Sequence, residues 1–171
     1  MKQQSILFSI FNLLFFFCLQ ILIFRNIALF NFAFCFVYVG FILLIPIEFP
    51  TLLTIILAFA FGFSIDIFYD TIGIHMASCV FIAYIRPYVI NFLTPRGGYD
   101  ANTDISVSYM GFQWFLTYAA ILVFIHHFIL FFIESWGFGL VFRMLAKTIL
   151  STGFTLFVVI LFQYLFSPAK K

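Results

Sequence analysis

The chain has 171 residues, of which 65% are hydrophobic and only 8% charged, with a net charge of +2 at pH 7 and a mean hydropathy of +1.22. Soluble domains carry roughly 25% charged and roughly 45–50% apolar residues, so this composition excludes a water-soluble globular domain and indicates an integral membrane protein. The small charge, with no basic run longer than Lys170-Lys171, gives no indication of nucleic-acid binding.

The N-terminal stretch MKQQSILFSIFNLLFFFCLQILIF begins like a signal peptide. Its apolar run reaches about 20 residues and no small-x-small cleavage site follows, so it is expected to stay as a span. Six windows approach the length of a crossing helix: roughly 5–24, 27–46, 51–69, 71–93, 109–133 and 139–166. They are separated by Arg25-Asn26, by the Pro46–Pro50 turn around Glu48, by Asp70-Thr71, by the polar loop 94–108 and by ESWGFG (134–139). Trp136 suits a membrane–water boundary. Backbone amides have no water partner in lipid, so all six windows are expected to be helices. Strand-like alternation over ten residues is taken to be absent, which argues against a barrel. In the last window Arg143 and Lys147 leave an alternative, with 135–147 along the surface and 148–166 as the span. The expected architecture is therefore an all-α integral membrane protein, a single bundle of six transmembrane helices. Lys2, Arg96, Lys170 and Lys171 outnumber Arg25 and Arg143 on the other side, which places both termini in the cytoplasm. Cys18, Cys35 and Cys79 lie in apolar runs without C-x-x-C spacing and read as small buried hydrophobes.

The stretch FGFSIDIFYDTIGIH (61–75) carries two acids among Phe, Ile and Gly. Asp66 and Asp70 are four apart and would share a helix face with Gly62. By depth, Asp66, Asp70, His75, His126, His127, Arg143 and Lys147 gather toward one end of the bundle. A carboxylate in hydrocarbon pairs with an opposite charge, so Asp66 is expected to pair with Arg143 or Lys147. Asp70 is expected to cap the fourth helix at its N-terminus. Gly40, Gly62 and Gly73 are expected to allow close helix approach. Arg86, about 24 Å of helix beyond Asp70, either snorkels to headgroups or meets Glu48. His126 and His127 point about 100° apart on a helix and cannot both bind one metal ion; no metal and no cofactor is expected. Serine in G-x-S-x-G, H-E-x-x-H, a P-loop and G-x-G-x-x-G are all missing, so no enzymatic activity is expected.

The stretch GFSIDIFYDTIGIHMASCVFIAYIRPYVINFLTPRGGYD (62–100) resembles the MreD family of bacterial rod shape-determining membrane proteins, in its Bacteroidetes-type branch. Gly62 followed by Asp66, then Gly73, then the Arg86-Pro87 pair carry the likeness, and LTPRGGY and HHFILFFIE (126–134) are also similar. The resemblance implies a non-enzymatic membrane component of the cell-elongation machinery in the bacterial inner membrane. It implies MreC as direct partner, with the RodA glycosyltransferase, a penicillin-binding transpeptidase and, indirectly, the MreB filament. It also implies a fold similar to the substrate-binding subunits of energy-coupling-factor transporters. A second copy of the chain is a further candidate partner. The rival reading is such a transporter subunit, its polar cluster lining a vitamin-type pocket; against it, residues 5–24 lack the A-x-x-x-A docking pattern. A third is a lipid-interacting structural protein with no role in the wall.

Overall fold

A computed structural model describes residues 3–30, 32–99, 104–135 and 141–166, with side chains from Phe11 onward. Lys2, Trp136, Lys170 and Lys171, used above for boundary and orientation, lie outside the described residues. The elements are α1 (Gln3–Leu22), a 3-10 turn (Phe24–Asn26), β1 (Ala28–Leu29), β2 (Ala33–Phe34), α2 (Val39–Leu43), α3 (Thr51–Tyr69), α4 (Ile74–Phe92), α5 (Val107–Met110), α6 (Phe112–Glu134) and α7 (Val141–Phe166). The protein is mostly helical. Among the described residues, three helices, α3, α6 and α7, are long and apolar enough to cross a membrane. Arg143 and Lys147 belong to the same continuous helix as the rest of α7.

Side-chain polarity is arranged for lipid. On α3, Leu52, Ile56, Phe59, Phe63 and Ile67 are exposed, while Thr54, Ala58, Gly62 and Asp66, each four apart, are buried. On α7, Thr148, Ser151, Thr152 and Thr155 are buried, and Ile149, Leu150, Phe157 and Leu161 are exposed. Water would drive the opposite sorting; where the surroundings are as apolar as leucine, small and hydroxylic residues make the helix contacts. α3 packs on α4, α4 on α6, and α6 on α7.

The second window departs from expectation. Residues 27–46 do not form a spanning helix: a two-residue antiparallel ladder pairs Ala28 with Phe34 and Leu29 with Ala33. The chain then turns at Val37-Tyr38, with the Val39 and Gly40 amides donating to the Phe36 and Val37 carbonyls, into the five-residue α2. Cys35–Leu43 are buried throughout. The expectation of a helix assumed that lipid surrounds the backbone. Non-helical backbone is tolerated at membrane depth where protein surrounds it, and here neighbouring side chains take the place of a ladder. Gln20 Nε2 donates to the Cys35 carbonyl at 3.1 Å, and its Oε1 accepts from the Tyr38 amide at 3.3 Å. Ser151 Oγ accepts from the Phe34 amide and Thr155 Oγ1 from the Phe36 amide, both at 3.0 Å. A strand signal was also present in FNFAFCFVY (30–38), where an aromatic ring stands at every second position. Cys18 is corrected too: it is exposed, whereas Cys35 and Cys79 are buried.

Candidate functional site

Two polar centres lie along the path of this largely unwound segment, one beside the α3–α4 joint and one near the far end of α4. At the first, α3 ends at Tyr69 because Asp70 adopts a left-handed conformation (φ 53°, ψ 36°) and donates its amide to the Asp66 carbonyl. The Thr71 amide donates to the same oxygen at 3.1 Å. The Asp66 carboxylate then opens α4: Oδ1 accepts from the Thr71 hydroxyl at 2.5 Å and the His75 amide at 3.0 Å, and Oδ2 from the Met76 amide at 2.9 Å. One residue thereby closes one helix and caps the next, at the positive end of the α4 dipole.

Three expectations are corrected by this geometry. Asp66 does not pair with Arg143 or Lys147; backbone and hydroxyl donors satisfy its charge. Asp70 is not the N-cap of α4, a position held by Gly73 (φ 81°), and it does not share a face with Asp66. It points outward, 89% exposed, with its carboxylate 3.9 Å from Arg25. The role expected of Asp70 belongs to Asp66, because the left-handed residue ends the regular face before position 70.

Gly62 permits the joint. A Cβ there would lie 2.6 Å from Met76 Cα and 3.0 Å from the His75 carbonyl, so any side chain would push α3 off the start of α4. Gly40 does the same for α1 and α2, where a Cβ would meet the Phe16 ring at 2.7 Å.

Next to the joint stands a buried chain of rings. Tyr38 Oη lies 2.7 Å from His75 Nδ1 and 2.9 Å from His126 Nε2. The hydroxyl has one proton, so it donates to one ring and accepts from the other. His127 is set differently. Its Nδ1 lies 2.7 Å from the Val123 carbonyl, which only accepts, so Nδ1 carries the proton and Nε2 accepts from Thr155 Oγ1 at 3.1 Å. The relay Phe36 amide to Thr155 to His127 to Val123 is therefore fully ordered. Phe36 sits among the three imidazoles, with ring centroids 5.4 Å from His75, 6.3 Å from His126 and 5.3 Å from His127. His126 and His127 thus face different partners, and no cluster of three or more His, Cys, Asp or Glu able to hold a metal occurs among the described residues. Among the described residues, two buried side-chain polar atoms lack a partner, His126 Nδ1 and Thr152 Oγ1.

The basic pair on α7 stays at the edge of this cluster. Lys147 Nζ bonds Glu134 Oε2 at 2.9 Å and lies over the rings of Phe34 (4.8 Å) and Phe131 (4.6 Å). Arg143 is exposed. The expected gathering of polar groups toward one end therefore holds for Asp66, His75, His126 and His127, whereas Asp70 and Arg143 turn outward.

The second centre is built on Arg86. Its side chain is 3% exposed and turns inward, so it does not snorkel. Nε donates to Tyr118 Oη at 2.9 Å, Nη2 donates to the Ile45 carbonyl, and Tyr118 donates to the Leu43 carbonyl at 3.0 Å. A guanidinium thus sits at the negative end of α2 and takes up the carbonyls that a helix of five residues leaves unpaired. About 16 Å of α4 separate His75 from Arg86, and the segment from Tyr38 to Ile45 bridges the two centres.

Sequence reasoning missed Gln20, Tyr38, Tyr69, Tyr118, Ser151 and Thr155. Gln20, which also donates to Tyr69 Oη at 2.6 Å, is the only amide side chain between Asn12 and Asn26; that isolation was its available signal. The hydroxyls carried none, since serine and threonine in a span ordinarily bond their own helix, as Thr148 does with Met144. The chain matches no family model, no curated protein and no solved structure.

Proposed function

We propose that this chain is a non-enzymatic, MreD-type component of the bacterial cell-elongation machinery in the inner membrane, acting with MreC and with the RodA and penicillin-binding wall synthases. The observation that carries the reading is where the family-like residues fall. Gly62, Asp66 and Gly73 make the α3–α4 joint, and Arg86 secures the end of the buried segment. These residues hold the scaffold together, and a scaffold that displays large apolar helix faces suits partners that are themselves spans. The finer architecture belongs to the same proposal: six crossings, the second largely non-helical, with both termini cytoplasmic and a likeness to energy-coupling-factor substrate subunits in layout. The vitamin-pocket rival has less support, because Tyr38, His126 and His127 are 0% exposed and the cavities of about 90 and 410 Å³ are lined by other residues.

Affinity purification from native membrane tests the reading. Recovery of an MreC-like protein and wall synthases, with rounded cells on depletion, is the expected result. Recovery of transport ATPase subunits, or vitamin auxotrophy with normal cell shape, would overturn it.

A further inference from the structure

Between the β1–β2 turn and α7 lies an open groove of about 410 Å³, with Phe30, Phe32, Ile149, Gly153 and Phe157 among its wholly apolar walls. Gly153 stands twelve residues from Val141 and thirteen from Phe166, so about 18 Å or more of helix separates it from either end of α7. The turn facing it is therefore at the mid-depth of a helix long and apolar enough to cross a membrane. Here the backbone is not helical. β1 is an edge strand, paired with β2 on one side only, and Leu29 is 43% and Phe30 99% exposed. Phe30 also holds a left-handed conformation, φ 54°, which a bulky side chain rarely adopts. Open strand edges do not face lipid within the hydrocarbon region, because lipid offers their amides and carbonyls no hydrogen bond. Apolar walls do not hold water in its place, so protein is what covers this edge. Gly153 carries the same implication. Glycine weakens a helix interior, yet a Cβ there would meet nothing within 4 Å, so no packing inside the chain requires it, unlike Gly40 and Gly62.

We propose that the cover is a second copy of this chain, related by a two-fold axis along the membrane normal, with Phe30 of each copy entering the groove of the other over Gly153. Three observations select this occupant. A spanning helix uses its backbone bonds internally and an acyl chain has none, whereas a second copy brings a β1 edge of its own, with amides and carbonyls to exchange. The patch is self-complementary, since the projecting ring of Phe30 and the dent at Gly153 lie on one groove, as an isologous contact needs. The walls carry no charge, so two copies meet without repulsion, and a glycine at the crossing point lets helices approach closely in lipid. The inference is independent of the wall-synthesis reading: a chain that stays single would leave that reading standing.

The test is Förster transfer between donor- and acceptor-tagged copies of the full chain in phosphatidylcholine liposomes, over a wide range of lipid-to-protein ratios. Transfer that rises and saturates at two copies is the expected result. Phe30→Gly removes the ring and relaxes the left-handed residue, and Gly153→Leu fills the dent with a better helix former. Each is expected to raise the dissociation constant about tenfold or more, while thermal unfolding in dilute detergent, where the copies are apart, keeps the parent Tm. Phe63→Leu, on the exposed face of α3, should associate like the parent. A chain that stays single at every ratio, leaving the groove to lipid or to another protein's span, would overturn the proposal. So would transfer that grows past two copies, or parent-like association in both groove variants.

Discussion

Replacing Asp66 separates a capping carboxylate from an interhelical ion pair. Its oxygens accept from Thr71 Oγ1, the His75 amide and the Met76 amide at 2.5–3.0 Å, and the residue is 2% exposed. Hydrogen bonds to a charged acceptor are each worth about 1.5–3 kcal/mol, but the carboxylate gives up hydration to make them. A helix cap nets about 1 kcal/mol, rising to about 2 with favourable partly buried dipole geometry. Asp66→Ala also leaves one buried and one part-buried amide unpaired, so a loss of about 3 kcal/mol is expected, roughly a hundredfold in the folding equilibrium. Asp66→Asn keeps one acceptor oxygen and should lose about half as much. Reversible unfolding in mixed micelles measures both. A double-mutant cycle with Lys147→Gln or Arg143→Gln should then be additive within about 0.5 kcal/mol, because neither base shares a partner with Asp66. A coupling above about 1 kcal/mol, or an Asp66→Ala protein as stable as the parent, would refute the capping argument.

Two glycines form a matched control: Gly62→Ala should destabilise by about 1–3 kcal/mol through overpacking against Met76. Gly153→Ala, where a Cβ meets nothing within 4 Å, should be neutral or stabilising by up to about 1 kcal/mol, and thermal unfolding compares the two. Tyr38→Phe strands His75 Nδ1 and His126 Nε2 and should cost about 2–3 kcal/mol, read by the same unfolding assay. Thr155→Val should cost about 2 kcal/mol by orphaning the Phe36 amide and His127. Thr152→Val, which removes a hydroxyl that already lacks a partner, should leave stability unchanged or improved; equal losses at positions 152 and 155 would contradict the assigned network.

Composition alone determined the solvent: with 65% hydrophobic and 8% charged residues the chain requires lipid, and apolar length marked where α3, α6 and α7 lie. Local spacing also placed Gly62 and Asp66 on one face and set His126 and His127 apart, because helix periodicity is a property of neighbouring residues. Only the tertiary structure decided which groups the buried ionic side chains meet. Asp66 meets backbone amides nine and ten positions away, and Arg86 meets a carbonyl forty-one positions back; such partners have no fixed sequence offset. The unwound second segment is the clearest case. Its aromatic alternation is legible, but an apolar run in lipid is helical by default. That default yields only because Gln20, Ser151 and Thr155, brought from two other helices, supply the hydrogen bonds its backbone would otherwise have made to itself.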